Sequence, residues 1–219
     1  MRDRYTLLAG LLLAAVVVVA LFNEVGGKDS GALGLDELPP RWPLPEFAVP
    51  AATGPSDADA NIAQDDCETS QVPCPEDARR TPACRIEESD AIRVCDFFDR
   101  PFVLSFWFSK GGGECVDQQD VLDSLYERYR DRVGFLSLNV RDDRDTVRDV
   151  VGEHGWRMPV GYDRDGAVGR LYGVAGCPTF AYAYPGGTLY RASFGSLARD
   201  ELAARIDSLL RASRRAASS

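Results

Sequence analysis

Two cysteines stand where the regular pattern of the sequence is interrupted. Cys115 ends the segment 109–115 (SKGGGEC), which joins an apolar run to a helical pattern, and Cys177 lies in the segment 176–179 (GCPT) just before a later apolar run. A helix N-terminus favours a reactive thiol, because its unsatisfied backbone N–H groups and its dipole stabilise the thiolate. Charges of both signs flank Cys115, so the sequence leaves the direction of its pKa shift open.

The loop before Cys115 contains three consecutive glycines, at positions 111–113. Glycines permit close approach of another backbone or a positive φ, which suits a loop that admits a second chain. The pattern Gly-x-x-x-x-Gly-Lys-Ser/Thr is absent, so a phosphate-binding loop of that kind is excluded.

The elements around both cysteines follow an alternating pattern. Continuous apolar runs predict buried strands, and apolar residues spaced three and four apart predict amphipathic helices. A PGG turn at 185–187 predicts a hairpin. The predicted elements are strand 102–108, helix 117–129, strand 133–140, helix 143–154, strand 179–184, strand 188–194 and helix 197–214. The order β-α-β-α-β-β-α predicts an α/β fold with a mixed sheet flanked by helices.

Composition limits the partners. The chain has 219 residues, 45% of them hydrophobic, and a net charge of −9. This length allows one compact domain with additional segments, and the negative charge makes nucleic acid a poor partner. Residues 57–99 contain twelve Asp or Glu and four Arg, and therefore carry a net −8. We interpret this acidic insert as solvated surface rather than a cation site.

The N-terminal region predicts a membrane anchor. Residues 5–22 are apolar and uncharged, long enough to cross the hydrocarbon layer as a helix. Arg2 and Arg4 precede this run, which places the N-terminus in the cytoplasm and the rest of the chain outside. A cleaved signal peptide is the alternative, although Leu21-Phe22-Asn23-Glu24 offers no small-residue cleavage site.

An oxidising compartment would pair the six cysteines. Four lie in the insert, at Cys67, Cys74, Cys84 and Cys95, and we expect them to form structural disulfides. Residues 84–95 predict a hairpin with Cys84 and Cys95 symmetric about its turn, which favours a cross-strand disulfide between them. Cys67 and Cys74 would then close a short loop, while the other two possible connectivities stay open.

Several motifs carry a family resemblance. Phe106-Trp107, followed by a loop and a helix-opening Cys115, and the segment 173–180 (GVAGCPTF) resemble membrane-anchored thioredoxin-like proteins of the TlpA/ResA type. The segments 163–166 (DRDG) and 184–187 (YPGG), with Gly195, fall in the same order, and the match covers roughly residues 90–212. The resemblance implies a thioredoxin-like fold and a cis peptide bond before Pro178.

The active-site motif departs from that family. Its two redox cysteines stand four and seven residues after the tryptophan, where this chain has Gly111 and Glu114. A Cys-x-x-Cys pair is therefore excluded. In the thioredoxin fold the residue before the cis-proline faces the start of the active-site helix, and here that residue is Cys177. The resemblance thus implies that Cys115 and Cys177 form the redox pair of a thiol:disulfide oxidoreductase.

The resemblance also implies a substrate groove and a domain organisation. The predicted substrate-binding residues are Trp107, Gly112, Gly113, Gly176 and Pro178. The predicted segments are a cytoplasmic tail (1–4), a transmembrane anchor (5–22), a Pro/Gly-rich linker (23–56), the acidic cysteine-rich insert (57–99) and the thioredoxin-like domain (100–213). Residues 42–49 of the linker are expected to dock as an extended edge segment.

The expected partners are extracytoplasmic protein thiols or disulfides, and the membrane through the anchor, without a dissociable cofactor or metal. Three alternatives stay open. In the first, Cys115 and Cys177 form a permanent bridge or are inert thiols. In the second, the domain is a redox-inactive module that holds an extended peptide. In the third, the domain binds copper through Cys115, Cys177 and His154. A cap or surface role is the ordinary interpretation of His154.

Overall fold

A computed structural model describes residues 41–55, 63–64, 68–69, 72–73, 82–110 and 113–218. The strands are β1 (Phe47–Pro50), β2 (Ala63–Gln64), β3 (Glu68–Thr69), β4 (Val72–Pro73), β5 (Ala91–Arg93), β6 (Phe102–Trp107), β7 (Gly134–Val140), β8 (Val160–Asp163), β9 (Thr179–Ala183) and β10 (Leu189–Phe194). The α-helices are α1 (Gly113–Tyr129), α2 (Arg144–His154), α3 (Ala167–Leu171) and α4 (Arg199–Ala217).

The main sheet is mixed and has the strand order β10-β9-β6-β7-β8. Strands β6, β7 and β8 run parallel, whereas β9 is antiparallel to β6 and β10 is antiparallel to β9. Both β6 and β7 are buried along their whole length, as their continuous apolar sequences predicted. Thr179 at the start of β9 pairs with Phe106 near the end of β6. The amino end of β9 therefore lies beside the carboxyl end of β6.

Each face of the main sheet has its own core. Successive residues of a strand point to opposite faces, so Val103 packs against α1, α2 and α4, while Leu104 packs against β1 and α3. The first core includes one residue from each of these helices, Leu122, Val147 and Ile206. All three are fully buried, so the helices cover that face of the sheet. This layered arrangement confirms the predicted α/β class.

The structure contains two elements that the sequence patterns did not predict, β8 and α3. The predicted elements left residues 155–178 unassigned, yet Val160–Asp163 pairs with β7 and Ala167–Leu171 forms a helix. Both are short, with four and five residues, so neither repeats a pattern long enough to recognise. The other predicted elements of the main sheet are present within a few residues of their expected ends.

The predicted hairpin over residues 84–95 is wrong. Ala83–Arg85 and Val94–Phe97 are 3₁₀ turns, and β5 pairs with β1 instead of with the segment before it. Glu87 and Glu88 make that segment a poor partner, whereas β1 supplies a buried apolar strand. Cys84 and Cys95 are nevertheless joined by a disulfide with a Cα–Cα distance of 5.8 Å, which confirms the predicted pairing.

The expected docking of residues 42–49 is confirmed in part. Pro43 forms a bridge with Thr188, and the Leu189 N–H donates to the Trp42 carbonyl, so this end of the segment lies along β10. Its other end is not an edge, because β1 lies between β2 and β5 in a second, three-stranded sheet. Strands β3 and β4 pair with each other between Cys67 and Cys74, which themselves lie outside the described residues.

The predicted anchor at residues 5–22 also lies outside the described residues. Within the part of the chain that the structure describes, no helix combines the length and the apolar character needed to cross a membrane.

Asp163 is a buried carboxylate at the end of β8. Its Oδ2 accepts a hydrogen bond from the Gly169 N–H at 2.8 Å, and the residue is completely shielded from solvent. Burial raises the pKa of Asp163 from 3.8 to about 6, and the neighbouring Asp165 contributes to the increase. The folded protein therefore holds this proton more tightly than the unfolded chain. The associated stability is complete below about pH 4 and is lost as the pH rises through about 6.

We predict that Asp163→Asn stabilises the protein at neutral pH. Asparagine keeps an oxygen acceptor for the Gly169 N–H and removes the buried charge, so the free energy of unfolding at pH 7 should rise by about 1–3 kcal/mol. The difference from wild type should shrink towards pH 4, as measured by urea unfolding between pH 4 and 8. Asp131→Asn changes an exposed carboxylate by the same charge and serves as the control. A constant difference across this range would contradict the assignment.

Candidate active site

Cys115 and Cys177 are joined by a disulfide with a Cα–Cα distance of 5.6 Å. They are 62 residues apart in sequence, and the antiparallel register of β9 against β6 brings them together. Cys177 comes two residues before β9, and Cys115 follows the loop that leaves β6. Both loops therefore emerge at the same edge of the sheet, and the structure places the two predicted cysteines face to face.

The start of α1 fixes the position of Cys115. The helix begins at Gly113, so Cys115 is its third residue and lies within the first turn, where backbone N–H groups have no partner inside the helix. The helix continues to Tyr129, which gives it a full dipole behind the sulfur. A thiolate at this position is stabilised by both effects, which lowers the free energy needed to release it from a disulfide.

A buried polar network holds α1 against the sheet. The Gln119 side chain donates to the Ser105 hydroxyl at 2.9 Å and accepts from the Ser137 hydroxyl at 3.0 Å. Ser105 and Ser137 are paired in register on β6 and β7, and all three side chains are unexposed. Gln119 lies four residues after Cys115 and therefore on the same face of the helix. The network thus fixes the rotation of α1 that turns Cys115 towards Cys177.

The two cysteines differ in accessibility. Cys115 is 6% exposed and belongs to the core that α1 covers, whereas Cys177 is only partly buried and packs against that core. An incoming group therefore reaches Cys177 more readily than Cys115.

The loop around Cys177 contains a cis peptide bond and is held by two local hydrogen bonds. The Cys177–Pro178 peptide bond is cis, as the family resemblance implied. The Gly195 N–H donates to the Pro178 carbonyl at 3.0 Å, and the Thr179 hydroxyl donates to the Gly176 carbonyl at 2.7 Å. These contacts connect the loop to the end of β10.

Gly176 makes room for Phe194, a residue that sequence reasoning missed. A Cβ at Gly176 would lie 2.7 Å from the Phe194 ring, so only glycine fits there without displacement. Phe194 is 50% exposed, and it stands at the end of β10 directly beside the loop of Cys177. An apolar residue at an outward-facing position of the strand 188–194 was the signal that would have identified it.

The predicted substrate-binding residues divide into three groups. Trp107 is unexposed and packs edge-on against Trp156 with ring centroids 5.1 Å apart, and Pro178 is also buried, so substrate binding by these two residues stays a prediction. Gly176 is partly exposed and Gly113 is exposed, so both remain available to a substrate. Gly112 lies outside the described residues.

Asp142 anchors the loop between β6 and α1 through a hydrogen bond to its backbone. Its Oδ2 accepts from the Ser109 N–H at 2.6 Å and from the Asn139 side-chain amide at 2.8 Å. Asp142 is 1% exposed, although no pattern in the sequence distinguished it from the surrounding surface acids. The next residue, Asp143, caps α2 by accepting from the Thr146 N–H, and that hydrogen bond lowers the pKa of the Asp143 carboxyl.

The described residues do not support the copper-site alternative. His154 ends α2, and its Nδ1 lies 2.9 Å from an Asp120 oxygen, which is the surface role expected of it. Among the described residues, the grouping of three ligand atoms within 4.8 Å of one another is Glu46, Cys84 and Cys95, and it includes neither Cys115 nor Cys177. Two of its members are bonded to each other, so they offer no thiolates.

Comparisons with known proteins agree with this geometry. Residues 79–184 match the Redoxin family. The thiol-disulfide oxidoreductase ResA of Oceanobacillus iheyensis is 22% identical over 116 residues, which cover 52% of this chain and 60% of that protein. ResA of Bacillus cereus is 26% identical over 93 residues, 42% of this chain and 53% of that protein. The chain thus spans little more than half the length of these curated relatives.

Solved structures show the same architecture. A DsbF homologue from Corynebacterium diphtheriae superimposes with a TM-score of 0.57 at 17% identity, covering 83% of this chain and 96% of that one. The family match and this structural similarity, together with the sheet order and the paired loops at its edge, show that the chain has a thioredoxin-like α/β fold.

Proposed function

We propose that the protein is a thiol:disulfide oxidoreductase whose redox centre is the pair Cys115 and Cys177, which replaces a Cys-x-x-Cys motif. The observation that carries the proposal is the disulfide between the first turn of α1 and the loop before β9. The sulfur of Cys115 is placed to leave as a stabilised thiolate, and the sulfur of Cys177 is placed where a partner thiol can reach it. The match of residues 79–184 to the Redoxin family and the similarity to ResA support this activity.

The exchange has two steps. A thiolate of the partner attacks Sγ of Cys177, the S–S bond to Cys115 breaks, and Cys115 leaves as a thiolate stabilised by the first turn of α1. A second partner thiolate then attacks the partner sulfur of the mixed disulfide and releases Cys177. Two electrons pass from the partner dithiol to the pair, and the released thiolates take up protons. The reverse sequence reduces a partner disulfide, and the relative reduction potentials set the direction.

The proposal extends to substrate and location. We propose that the partners are protein thiols or disulfides outside the cytoplasm, and that residues 5–22 hold the domain at the membrane. The apolar run, the arginines before it and the even number of cysteines support this location.

We predict opposite trapping behaviour for the two single cysteine variants. Both Cys115→Ser and Cys177→Ser should lower the rate of oxidation of a peptide dithiol by more than about 100-fold, because neither can complete the exchange. With a peptide disulfide, Cys115→Ser should accumulate a mixed disulfide on the accessible Cys177, whereas Cys177→Ser should react at least about 10-fold more slowly through the buried Cys115. Mass spectrometry of the adducts measures this difference.

The double variant Cys84→Ser/Cys95→Ser is the matched control, since it removes the other described disulfide. It should retain exchange activity while losing stability. Wild-type protein that turns over no dithiol would overturn the proposed function and favour a permanent bridge. Faster adduct formation on Cys115 would overturn the order of attack.

We predict that Phe194 contributes to substrate binding. Phe194→Ala should raise KM for a peptide dithiol with leucine beside cysteine by about 3- to 10-fold, because about 1 kcal/mol of apolar contact is lost. The value of kcat should change little, since the sulfur atoms are untouched. Trp42→Ala is the control, because Trp42 is 46% exposed and lies near the opposite end of β10. Equal KM values for both variants in steady-state kinetics would contradict this role.

A further inference from the structure

A cationic cleft opens at the same edge of the sheet as the loop that carries Cys177. Its volume is about 480 Å³, and it lies between the loop after β6, the carboxyl end of β7 and helix α3. Three of its lining side chains are cationic, Lys110, Arg141 and Arg170, and one is a carboxylate, Asp142. Pockets of this size accommodate small ligands or several side chains. We infer that this cleft binds an acidic segment of the partner polypeptide, next to the cysteine that exchanges. The inference rests on the proposed function.

The charged side chains that line the cleft differ in how available they are to a ligand. Asp142 is buried, and its Oδ2 is already bonded to a backbone N–H and to the Asn139 amide. Lys110, Arg141 and Arg170 are exposed. A ligand in the cleft therefore meets cations, although the whole chain has a net charge of −9.

Three further carboxylates lie near the cleft. Asp163 is buried behind it and accepts from the N–H of Gly169, which lines the cleft, whereas Asp143 and Asp165 are exposed at its sides. Asp143 lies close enough to Lys110 for the lysine to contribute to the lowering of the Asp143 pKa. Asp143 and Asp165 each accept from a backbone N–H, of Thr146 and Ala167 respectively, at the start of a helix. Their charge is thus directed in part towards those helices.

The backbone conformation at Arg141 determines where its guanidinium group lies in the cleft. Arg141 has φ of 74°, a left-handed conformation that is uncommon for residues other than glycine. Its N–H donates to the Asp163 carbonyl at 2.8 Å, which holds the conformation. The side chain then lies over Gly166, where a Cβ would come within 3.0 Å of its Nε. A side chain at position 166 would push the guanidinium away from its place in the cleft.

The loop that carries Cys177 also lines the cleft. Ala175 lines the cleft and precedes Cys177 by two residues, so their Cα atoms are at most about 7 Å apart. A polypeptide that presents its sulfur to Cys177 covers about the same distance in two or three residues, so those residues are within reach of the cleft. A single chain supplies both the sulfur and carboxylates at that spacing, which is why we assign an acidic peptide segment rather than a free anion.

Direct binding tests the assignment without any redox step. Labelled peptides with serine in place of cysteine, and either Asp/Glu or Asn/Gln two and three residues from it, are titrated with the oxidised full chain in mild detergent. Fluorescence anisotropy should show the acidic peptide binding about 10-fold more tightly at low ionic strength, with the preference reduced by added salt. Equal affinity of the two peptides would overturn the inference.

Charge variants locate the interaction. Lys110→Glu/Arg170→Glu should abolish the preference for the acidic peptide. Arg211→Glu/Arg214→Glu is the matched control, because both arginines are exposed on α4, which packs on the opposite face of the sheet from α3. This control should keep the preference, and an equal loss in both double variants would overturn the assignment to the cleft.

Lys110 is the one lysine of the described residues, which provides a second readout. The acidic peptide should slow acetylation of Lys110 by an amine-reactive ester about 3-fold or more, as followed by mass spectrometry. Inorganic phosphate or glutathione disulfide that protects Lys110 as well at the same concentration would overturn the peptide assignment. Failure of dithiol turnover with intact peptide selectivity would overturn the proposed function alone, so the two failures are distinguishable.

Discussion

The antiparallel pairing of β9 with β6 is the constraint on which the site depends. Because Thr179 lies opposite Phe106, the loop that enters β9 meets the loop that leaves β6. A parallel β9 would carry Cys177 to the far end of the sheet, and no local rearrangement would bring it back. The disulfide that this strand pairing permits joins Cys115 to Cys177, 62 residues apart in sequence, and such a cross-link restricts the unfolded chain. Exchange at this pair therefore changes the stability of the fold together with its redox state.

The two described disulfides differ in their local surroundings. Cys95 packs against the core formed with β1 and α3, and the segment around it contains no α-helix start. Cys115 lies in the first turn of a 17-residue helix, and Cys177 lies at the sheet edge beside Gly176. All of these cysteines except Cys115 are partly exposed, so accessibility does not separate the bridges, whereas a helix start that stabilises a leaving thiolate is present only at the Cys115–Cys177 bridge among the two described. This difference supports the proposed assignment of Cys115 and Cys177 as the exchanging pair.

The sequence predicted most of the sheet because β6 and β7 are long apolar runs and α1 and α4 have a clear helical period. Short β8 and α3 gave no such signal. The Cys84–Cys95 pairing was predicted correctly from a hairpin that does not exist, since the partner of β5 is the distant β1. Phe194 and Asp142 were missed because their roles depend on which loops meet at the sheet edge. Local patterns identify elements, whereas the neighbours of a loop depend on strand order.

The charge distribution has a consequence for association. A net charge of −9 repels an acidic partner at long range, whereas the cleft attracts it at contact. The two effects act over different distances, because salt at about 0.15 M screens exposed charges beyond roughly 8 Å. Under such conditions the repulsion is largely removed, while the close contacts with Lys110 and Arg170 persist in part. Selection of an acidic segment therefore takes place after encounter, at the cleft itself, and should appear in the lifetime of the complex more than in its rate of formation.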